Sequence, residues 1–198
     1  MAALKPEYME ILKRILEERF VKSRFLPELQ DSTKRPEDLR QKNLSRAFSA
    51  FALQKLCDLS IKEAARAVVD DFNDKGIDAI YYDEPKETLY LLQTKLKASE
   101  QFKQDEAHAF CEGVRLLINQ DFDKFNKFVR SRQSEIEGAL DRCSHIELVI
   151  PYTGDAVSDS AKSVFESLFN DEGLDEERLK KEVRYYASED IASDLLAE

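Results

Sequence analysis

The sequence predicts an α/β fold in which helices flank a mixed central sheet that contains a β-hairpin. Three observations predict it. Helical periodicity dominates the chain up to Val69, two strand-like runs around Pro85 come next, and single strands then alternate with helices. Because a lone strand that follows long helices joins an existing sheet through a crossover, we expect parallel as well as antiparallel pairs.

Composition narrows the class of protein. The chain has 198 residues, 42% hydrophobic residues and a formal net charge of −10, which suits one globular domain with a real core. It has no apolar run of about 18 residues and no signal-peptide pattern, so we expect a cytoplasmic protein without membrane spans. Three widely spaced cysteines, an odd number, indicate reduced thiols, and two histidines argue against a structural zinc site.

The first part of the chain predicts three helices. Apolar residues at helical spacing place the first over 6–25, and Leu26-Pro27 ends it before a polar loop that reaches Lys42. The second helix, over 44–56, is apolar nearly all round and is therefore buried. Ser60 and Glu63 form a capping box that opens the third.

Strands and helices alternate in the remainder. Runs over 77–82 and 88–96 form the hairpin. The elements that follow are helices over 101–118 and 122–140, a strand over 146–150, a helix over 160–169, a strand over 183–187 and a short terminal helix.

Charge divides the chain into two parts. Residues 1–46 carry eleven Lys and Arg against eight Asp and Glu, so the rest of the chain is strongly acidic. We predict a basic, helical extension over 1–43 and an α/β domain over 44–198. The acidic total opposes non-specific attraction to nucleic acid, although a local basic patch is compatible with it.

Polar residues meet at one end of the hairpin. With a turn near Pro85, Asp78 lies across from Leu92 or Gln93, and Gln93 and Lys95 share one face of the second strand. A carboxylate can bind Mg²⁺, an amide can support the site, and a lysine can orient water and stabilise developing charge. The combination suits metal-assisted phosphodiester hydrolysis. A surface Asp and an edge-strand Lys would be the structural alternative.

The run Gly76-Ile77-Asp78-Ala79-Ile80, followed by Leu92-Gln93-Thr94-Lys95, resembles the PD-(D/E)xK nuclease motif in its Mrr-like form, which has Gln in place of the second acid. Residues 69–83 are similar to the N-terminal region of AIPR (abortive infection, phage resistance) proteins, which are usually longer; the chain then corresponds to their N-terminal part. The resemblance implies a restriction-endonuclease-like fold and a Mg²⁺-dependent endonuclease, with Mn²⁺ as a substitute. Its expected partner is nucleic acid, with DNA as the expected substrate, in phage defence, and many such nucleases are homodimers.

The resemblance also implies roles for single residues. Asp78, Gln93 and the backbone carbonyl of Thr94 would hold the metal, and Lys95 would be the catalytic lysine. Asp74 matches an acid often present in this subgroup. Ser49 stands where Mrr-like proteins often carry a Glu, so the missing ligand would come from another acid. The candidates are Glu63, whose capping role competes, Asp70, Asp71, Glu17 and Glu18.

Basic residues near these positions are candidates for nucleic-acid binding. Lys97 and Lys103 follow Lys95 closely, and Arg35 belongs to the basic extension; a solvated face is the alternative for each. Two other interpretations of the chain stay open. One is a catalytically degenerate nuclease fold that binds nucleic acid or protein. The other is an unrelated α/β domain in which Asp78 and Lys95 point to opposite faces.

Overall fold

The computed structural model describes residues 1–29, 35–98, 100–174 and 176–198. Its centre is a mixed four-stranded sheet, as the sequence predicted. The strands are β1 (Ala79–Asp83), β2 (Thr88–Leu92), β4 (His145–Pro151) and β6 (Arg184–Tyr186), in the order β1-β2-β4-β6. β1 and β2 are antiparallel, whereas β4 is parallel to both β2 and β6. The short strands β3 (Gln101–Phe102) and β5 (Ala156–Val157) pair with each other.

Helices cover both faces of the sheet. They are α1 (Pro6–Leu16), which continues as a π-helical turn (Glu17–Val21), α2 (Pro36–Cys57), α3 (Ile61–Arg66), α4 (Gln104–Ile118), α5 (Lys127–Ser131), α6 (Gln133–Arg142), α7 (Asp159–Phe169) and α8 (Ser188–Leu196). α1, α2, α3 and α8 contribute to one apolar cluster, and α4 to α7 contribute to the other. No helix in the described part of the chain has the length and apolarity needed to cross a membrane.

The alternation of side chains along β2 assigns residues to these clusters. Leu89 and Leu91 belong to the cluster of α4 to α7, and Tyr90 and Leu92 belong to the cluster of α1 and α2. All four side chains are buried. β2 is therefore an inner strand with both faces covered, which explains its continuous apolar run.

The second predicted helix begins earlier than expected. Residues up to Lys42 were predicted as a loop, but Pro36 is the first residue of α2 because proline suits the first turn of a helix, where its missing N–H is not needed. The predicted extension over 1–43 therefore ends inside α2. Leu12, Leu16 and Phe20 of that extension pack in the same apolar cluster as α2.

The helix predicted over 122–140 is divided into shorter elements. Residues 122–140 form a 3₁₀ turn (Phe122–Lys124), α5 and α6, because Asn126 caps α5 and donates its amide to the carbonyl of Val69 (2.8 Å).

Gln101 and Phe102, predicted as helical, form β3 beside β5. The prediction that the second hairpin strand reaches residue 96 was wrong, since β2 ends at Leu92.

Candidate functional site

Two segments form the end of the hairpin: a loop that precedes β1 and the residues that follow β2. The loop, residues 70–76, leads into β1, and residues 93–95 follow β2. The N–H of Asp78 still donates to the carbonyl of Leu92 (2.7 Å). Beyond this point the chain leaves β1 but stays beside β4, because the N–H of Lys95 donates to the carbonyl of Pro151 (2.9 Å). The two segments separate here, and their polar side chains face one cavity.

Close packing against α4 fixes the loop. Gly76 has a φ of +77°, and a Cβ there would lie 2.6 Å from the carbonyl carbon of Ala109. A Cβ on Gly113 would lie 1.9 Å from the carbonyl oxygen of Lys75. Only glycine permits these approaches, and at Gly76 it also permits the left-handed backbone. The loop is therefore held directly on the backbone of α4.

Hydrogen bonds fix the other sides of the loop. The buried Arg46 of α2 donates Nε to the carbonyl of Asp70 (3.1 Å). The N–H of Asn126 donates to the carbonyl of Asn73 (2.9 Å). Burial lowers the pKa of the Arg46 guanidinium, and the nearby Asp70 opposes that shift. The position of the loop is thus set by contacts from α2, α4 and the start of α5.

Three carboxylates converge from this loop and the residue before β1. Oxygen atoms of Asp70, Asp74 and Asp78 all lie within 4.8 Å of one another. Oδ2 of Asp78 accepts the N–H of Thr94 (2.7 Å), and Oδ1 of Asp74 accepts the N–H of Gly76 (2.9 Å). One oxygen of Asp70 lies 3.3 Å from Nζ of Lys42. We call these three residues the acidic triad.

The triad is electrostatically unfavourable when it is fully ionised. Burial, and then the negative charge of Asp70, raises the pKa of Asp74 from its ordinary value of 3.8 to about 6. Burial, with the charges of Asp70 and Asp74, also raises the pKa of Asp78 well above that value. Like charges this close disfavour ionisation unless a cation compensates them. A bound cation would relieve this repulsion, and so would a proton, since the side chain of Asp74 is also hydrogen-bonded to Asp78.

Gln93 has an unused polar atom. The residue is 3% exposed, and its backbone N–H donates to the carbonyl of Val149 (3.1 Å). Within the described residues, its side-chain Oε1 is buried without a hydrogen-bond partner. Since an unpaired buried amide oxygen costs about 1–3 kcal/mol, it needs a ligand, an ion or a water to satisfy it.

Lys95 lies on the same cavity as Asp78. Its Nζ is 3.9 Å from Oε1 of Glu106 on α4, and the same oxygen is 2.7 Å from Nζ of Lys97. The cavity has a volume of about 560 Å³ and is lined by the acidic triad, Ser45, Gly76, Gln93, Thr94, Lys95, Leu96, Lys97, Asp105, Glu106 and Ala109. The arrangement with Asp78 and Lys95 on opposite faces does not occur.

Other predicted site residues lie elsewhere. Glu63 is not at the cavity: it is exposed and completes the capping box with Ser60, as its position in a helix N-terminus favours. Asp71 shares the loop, but its Oδ1 accepts the N–H of Phe72 (2.8 Å), and it is not one of the triad. Glu17 and Glu18 pair with Arg40 and Lys22.

The basic candidates are placed differently from one another. Lys97 lines the cavity but is paired with Glu106, whereas Lys103 is exposed beside the N-terminus of α4. Arg35 is exposed at the N-terminus of α2 and pairs with Asp38 (3.0 Å). Lys34, the neighbouring basic residue of the predicted extension, lies outside the described residues.

Sequence reasoning missed Glu106 and the function of Ser49. The sequence assigned no role to Glu106, yet it lines the cavity and contacts two lysines there. Ser49 is fully buried, and its Oγ lies 2.7 Å from Oγ1 of Thr94. The helix position where an acid was expected therefore supports the residue whose N–H binds Asp78. No local pattern signals either contact, since each depends on how two separate segments pack against each other.

Comparisons with known proteins assign no family to the chain. No family model matches it, and no curated protein or solved structure matches it significantly. The donor set must therefore be judged by its own chemistry. Three carboxylates and one unpaired amide oxygen are oxygen ligands of the kind that Mg²⁺ and Mn²⁺ prefer.

Proposed function

We propose that this protein is a Mg²⁺-dependent endonuclease that hydrolyses phosphodiester bonds in DNA, with Mn²⁺ able to substitute. The observation that carries the proposal is the meeting of the acidic triad, an unpartnered buried amide and a lysine on one cavity. A structural ion-pair cluster would balance these charges internally. Here only Lys42 is within ion-pair distance of the triad among the described residues.

The acidic triad would hold the metal, with Oε1 of Gln93 and the backbone carbonyl of Thr94 as additional oxygen donors. A bound divalent cation supplies Lewis acidity to the phosphate and lowers the pKa of bound water. The chain contributes the positions of the donors: Thr94 orients Asp78 through its N–H, and Gly76 orients Asp74. Asp70 takes the place of the acid that the helix position Ser49 does not provide.

Lys95 would position the attacking water and stabilise the negative charge that develops on the phosphate. Its side chain is 30% exposed, so the ammonium reaches the cavity without being fully desolvated. Glu106 holds Lys95 at a distance of 3.9 Å, which is loose enough for the ammonium to turn towards a phosphate. Lys97, bonded more tightly to Glu106, would contact the substrate backbone next to the cavity.

The proposal extends to fold and context. A mixed sheet that carries Asp78 at one end of a hairpin, beside Gln93-Thr94-Lys95 from the neighbouring strand, supports a restriction-endonuclease-like fold of the Mrr type. From the resemblance to AIPR proteins we assign the activity to the cytoplasm of a bacterium and to defence against phage. A homodimer would allow both strands of a duplex to be cut.

Cleavage of plasmid and single-stranded DNA with Mg²⁺ or Mn²⁺ tests the proposal. We expect the wild-type chain to cut, and Asp78→Asn and Lys95→Ala to lose at least about 100-fold in rate, the usual effect of removing a charged catalytic group. Asp141→Asn and Lys162→Ala remove the same charges from exposed helix positions and should cut like the wild type.

Three results separate the alternatives. Metal-dependent cutting that both site variants abolish supports the nuclease. DNA binding without cutting, unchanged in Lys95→Ala, indicates a degenerate fold that serves as a binding module; the absence of an acid at Ser49 favours this second function. A chain that neither binds a divalent cation nor contacts nucleic acid refutes the proposal. Isothermal titration with Mn²⁺ measures the cation binding independently of cleavage.

A further inference from the structure

The acidic chain has a local basic segment next to the site. Residues 122–132 contain four Lys and Arg and one Asp, in a protein whose net charge is −10. Lys124, Lys127 and Arg130 are exposed. Arg132 forms an ion pair with Glu135 (3.2 Å). Within the described part of the chain, the other three basic residues of this segment form no ion pair. Three cations without acidic partners are therefore available to an external anion.

The basic segment is attached to the loop of the acidic triad. Asn126 donates its side-chain amide to the carbonyl of Val69, just before the loop, and its N–H to the carbonyl of Asn73 within the loop. Arg132 donates to the carbonyl of Ile80 in β1 (2.9 Å). The segment is consequently held in a fixed place beside both the loop and the first strand.

An aromatic residue projects from the same loop. Phe72 is 77% exposed, the most exposed of the large apolar side chains in the described residues. It stands between two members of the acidic triad, Asp70 and Asp74. Its N–H is bonded to Oδ1 of Asp71, and its neighbour Asn73 is bonded to Asn126. The ring is thus presented to solvent on an anchored backbone, which limits the entropy lost when it contacts a partner.

We infer that Phe72, Lys124, Lys127 and Arg130 form the surface on which an unpaired DNA strand lies as it enters the cavity. The cations would contact phosphates, and Phe72 would stack on one base. A nucleic acid is the partner that offers both regularly spaced negative charge and an aromatic face. Because a base that is not paired exposes its face for stacking, we expect this surface to bind single-stranded or locally opened DNA. This inference rests on the proposed function.

A single tryptophan reports the stacking. The chain contains no Trp, so Phe72→Trp introduces one fluorophore at the proposed contact. In an Asp78→Asn background, which prevents cutting, we expect its emission to be quenched by a short oligothymidylate. Leu196→Trp is the control: Leu196 is 74% exposed on α8, which follows the strand at the opposite edge of the sheet from β1. Its emission should not change.

Two sets of substitutions report affinity. Phe72→Ala should weaken oligothymidylate binding by roughly five- to 100-fold, the effect of losing one stacked base. The triple variant Lys124→Ala/Lys127→Ala/Arg130→Ala should weaken it at least about tenfold and reduce the slope of log affinity against log salt by about two. Arg14→Ala/Lys162→Ala/Lys181→Ala removes three exposed cations from other elements and should bind like the parent.

The outcomes distinguish this inference from the proposed function. If Phe72→Trp with Asp78 intact cuts DNA, but the tryptophan is not quenched and the triple variant binds normally, the inference is wrong and the nuclease stands. Equal quenching by duplex DNA would also overturn it, because the base would not be unpaired. If no variant binds or cuts DNA, both fail. Quenching by oligothymidylate alone, with loss of affinity in the triple variant, supports the inference, and cutting by Phe72→Trp with Asp78 intact supports the nuclease as well.

Discussion

The repulsion within the acidic triad predicts that one substitution at the site stabilises the fold. In Asp74→Asn the amide oxygen can still accept the N–H of Gly76, so the turn is preserved while a partly buried negative charge is removed. The pKa of Asp74 rises from 3.8 to about 6 on folding. At 1.36 kcal/mol for each pKa unit, the ionised carboxylate destabilises the metal-free fold by about 3 kcal/mol at pH 7.

The pH dependence of this stability difference follows from proton binding. Because the folded chain holds the Asp74 proton more tightly, it binds more protons than the unfolded chain between about pH 4 and pH 6. The contribution of Asp74 to the free energy of unfolding is most favourable below this window and is lost as the pH rises through about 6. The difference between Asp74→Asn and wild type should therefore be largest at pH 7 and small near pH 4.

Urea denaturation at several pH values, in EDTA, measures this difference. Asp141→Asn is the matched control: it removes a carboxylate from an exposed position and should change the free energy of unfolding by less than about 0.5 kcal/mol. Addition of Mg²⁺ should stabilise the wild type more than Asp74→Asn, since binding to the folded state adds to its stability. An Asp74→Asn chain that is less stable than wild type at pH 7 would refute the argument.

Three further predictions concern other contacts. Gly113→Ala should destabilise the fold by at least about 2 kcal/mol in urea denaturation, because its Cβ would lie 1.9 Å from the carbonyl oxygen of Lys75; an unchanged midpoint would contradict the close packing. Ser49→Ala should cost about 1–2 kcal/mol and weaken Mn²⁺ binding, because it leaves the buried hydroxyl of Thr94 without this partner; titration calorimetry would show equal affinity if the contact did not matter. Glu198→Gln should remove about 1 kcal/mol at pH 7, since two basic side chains lower the pKa of Glu198 to about 2. This contribution is present above about pH 4.5 and is lost as the pH falls through 2, so thermal melts of the two chains should converge in acid.

Local sequence was sufficient for the elements whose signals lie within a few residues. The hairpin around Pro85 was predicted with its pairing, because the position of the turn sets the register, and Ala79 indeed faces Leu92. The capping box of α3 was equally local. The same register brings Asp78 near Gln93, so the proximity of these two residues follows from the sequence alone.

Tertiary contacts decided where a predicted helix divides and how the acidic triad is assembled. Asn126 divides a predicted helix because its side chain binds Val69, which is distant in the chain. Asp70 and Asp74 reach Asp78 through a non-helical loop, whose path depends on the close approach of α4 at Gly113. No residue spacing encodes that path, since it results from packing between segments.

The sequence by itself therefore determined the fold class, the hairpin and the residues at its end, because each depends on periodicity and on turn chemistry. Only the tertiary structure decided which acids join Asp78, that Glu106 of α4 lies beside Lys95, and that the buried side-chain oxygen of Gln93 stays unpaired among the described residues. These features depend on long-range contacts, and their energies depend on burial and on neighbouring charge, which exist only once the layers have packed.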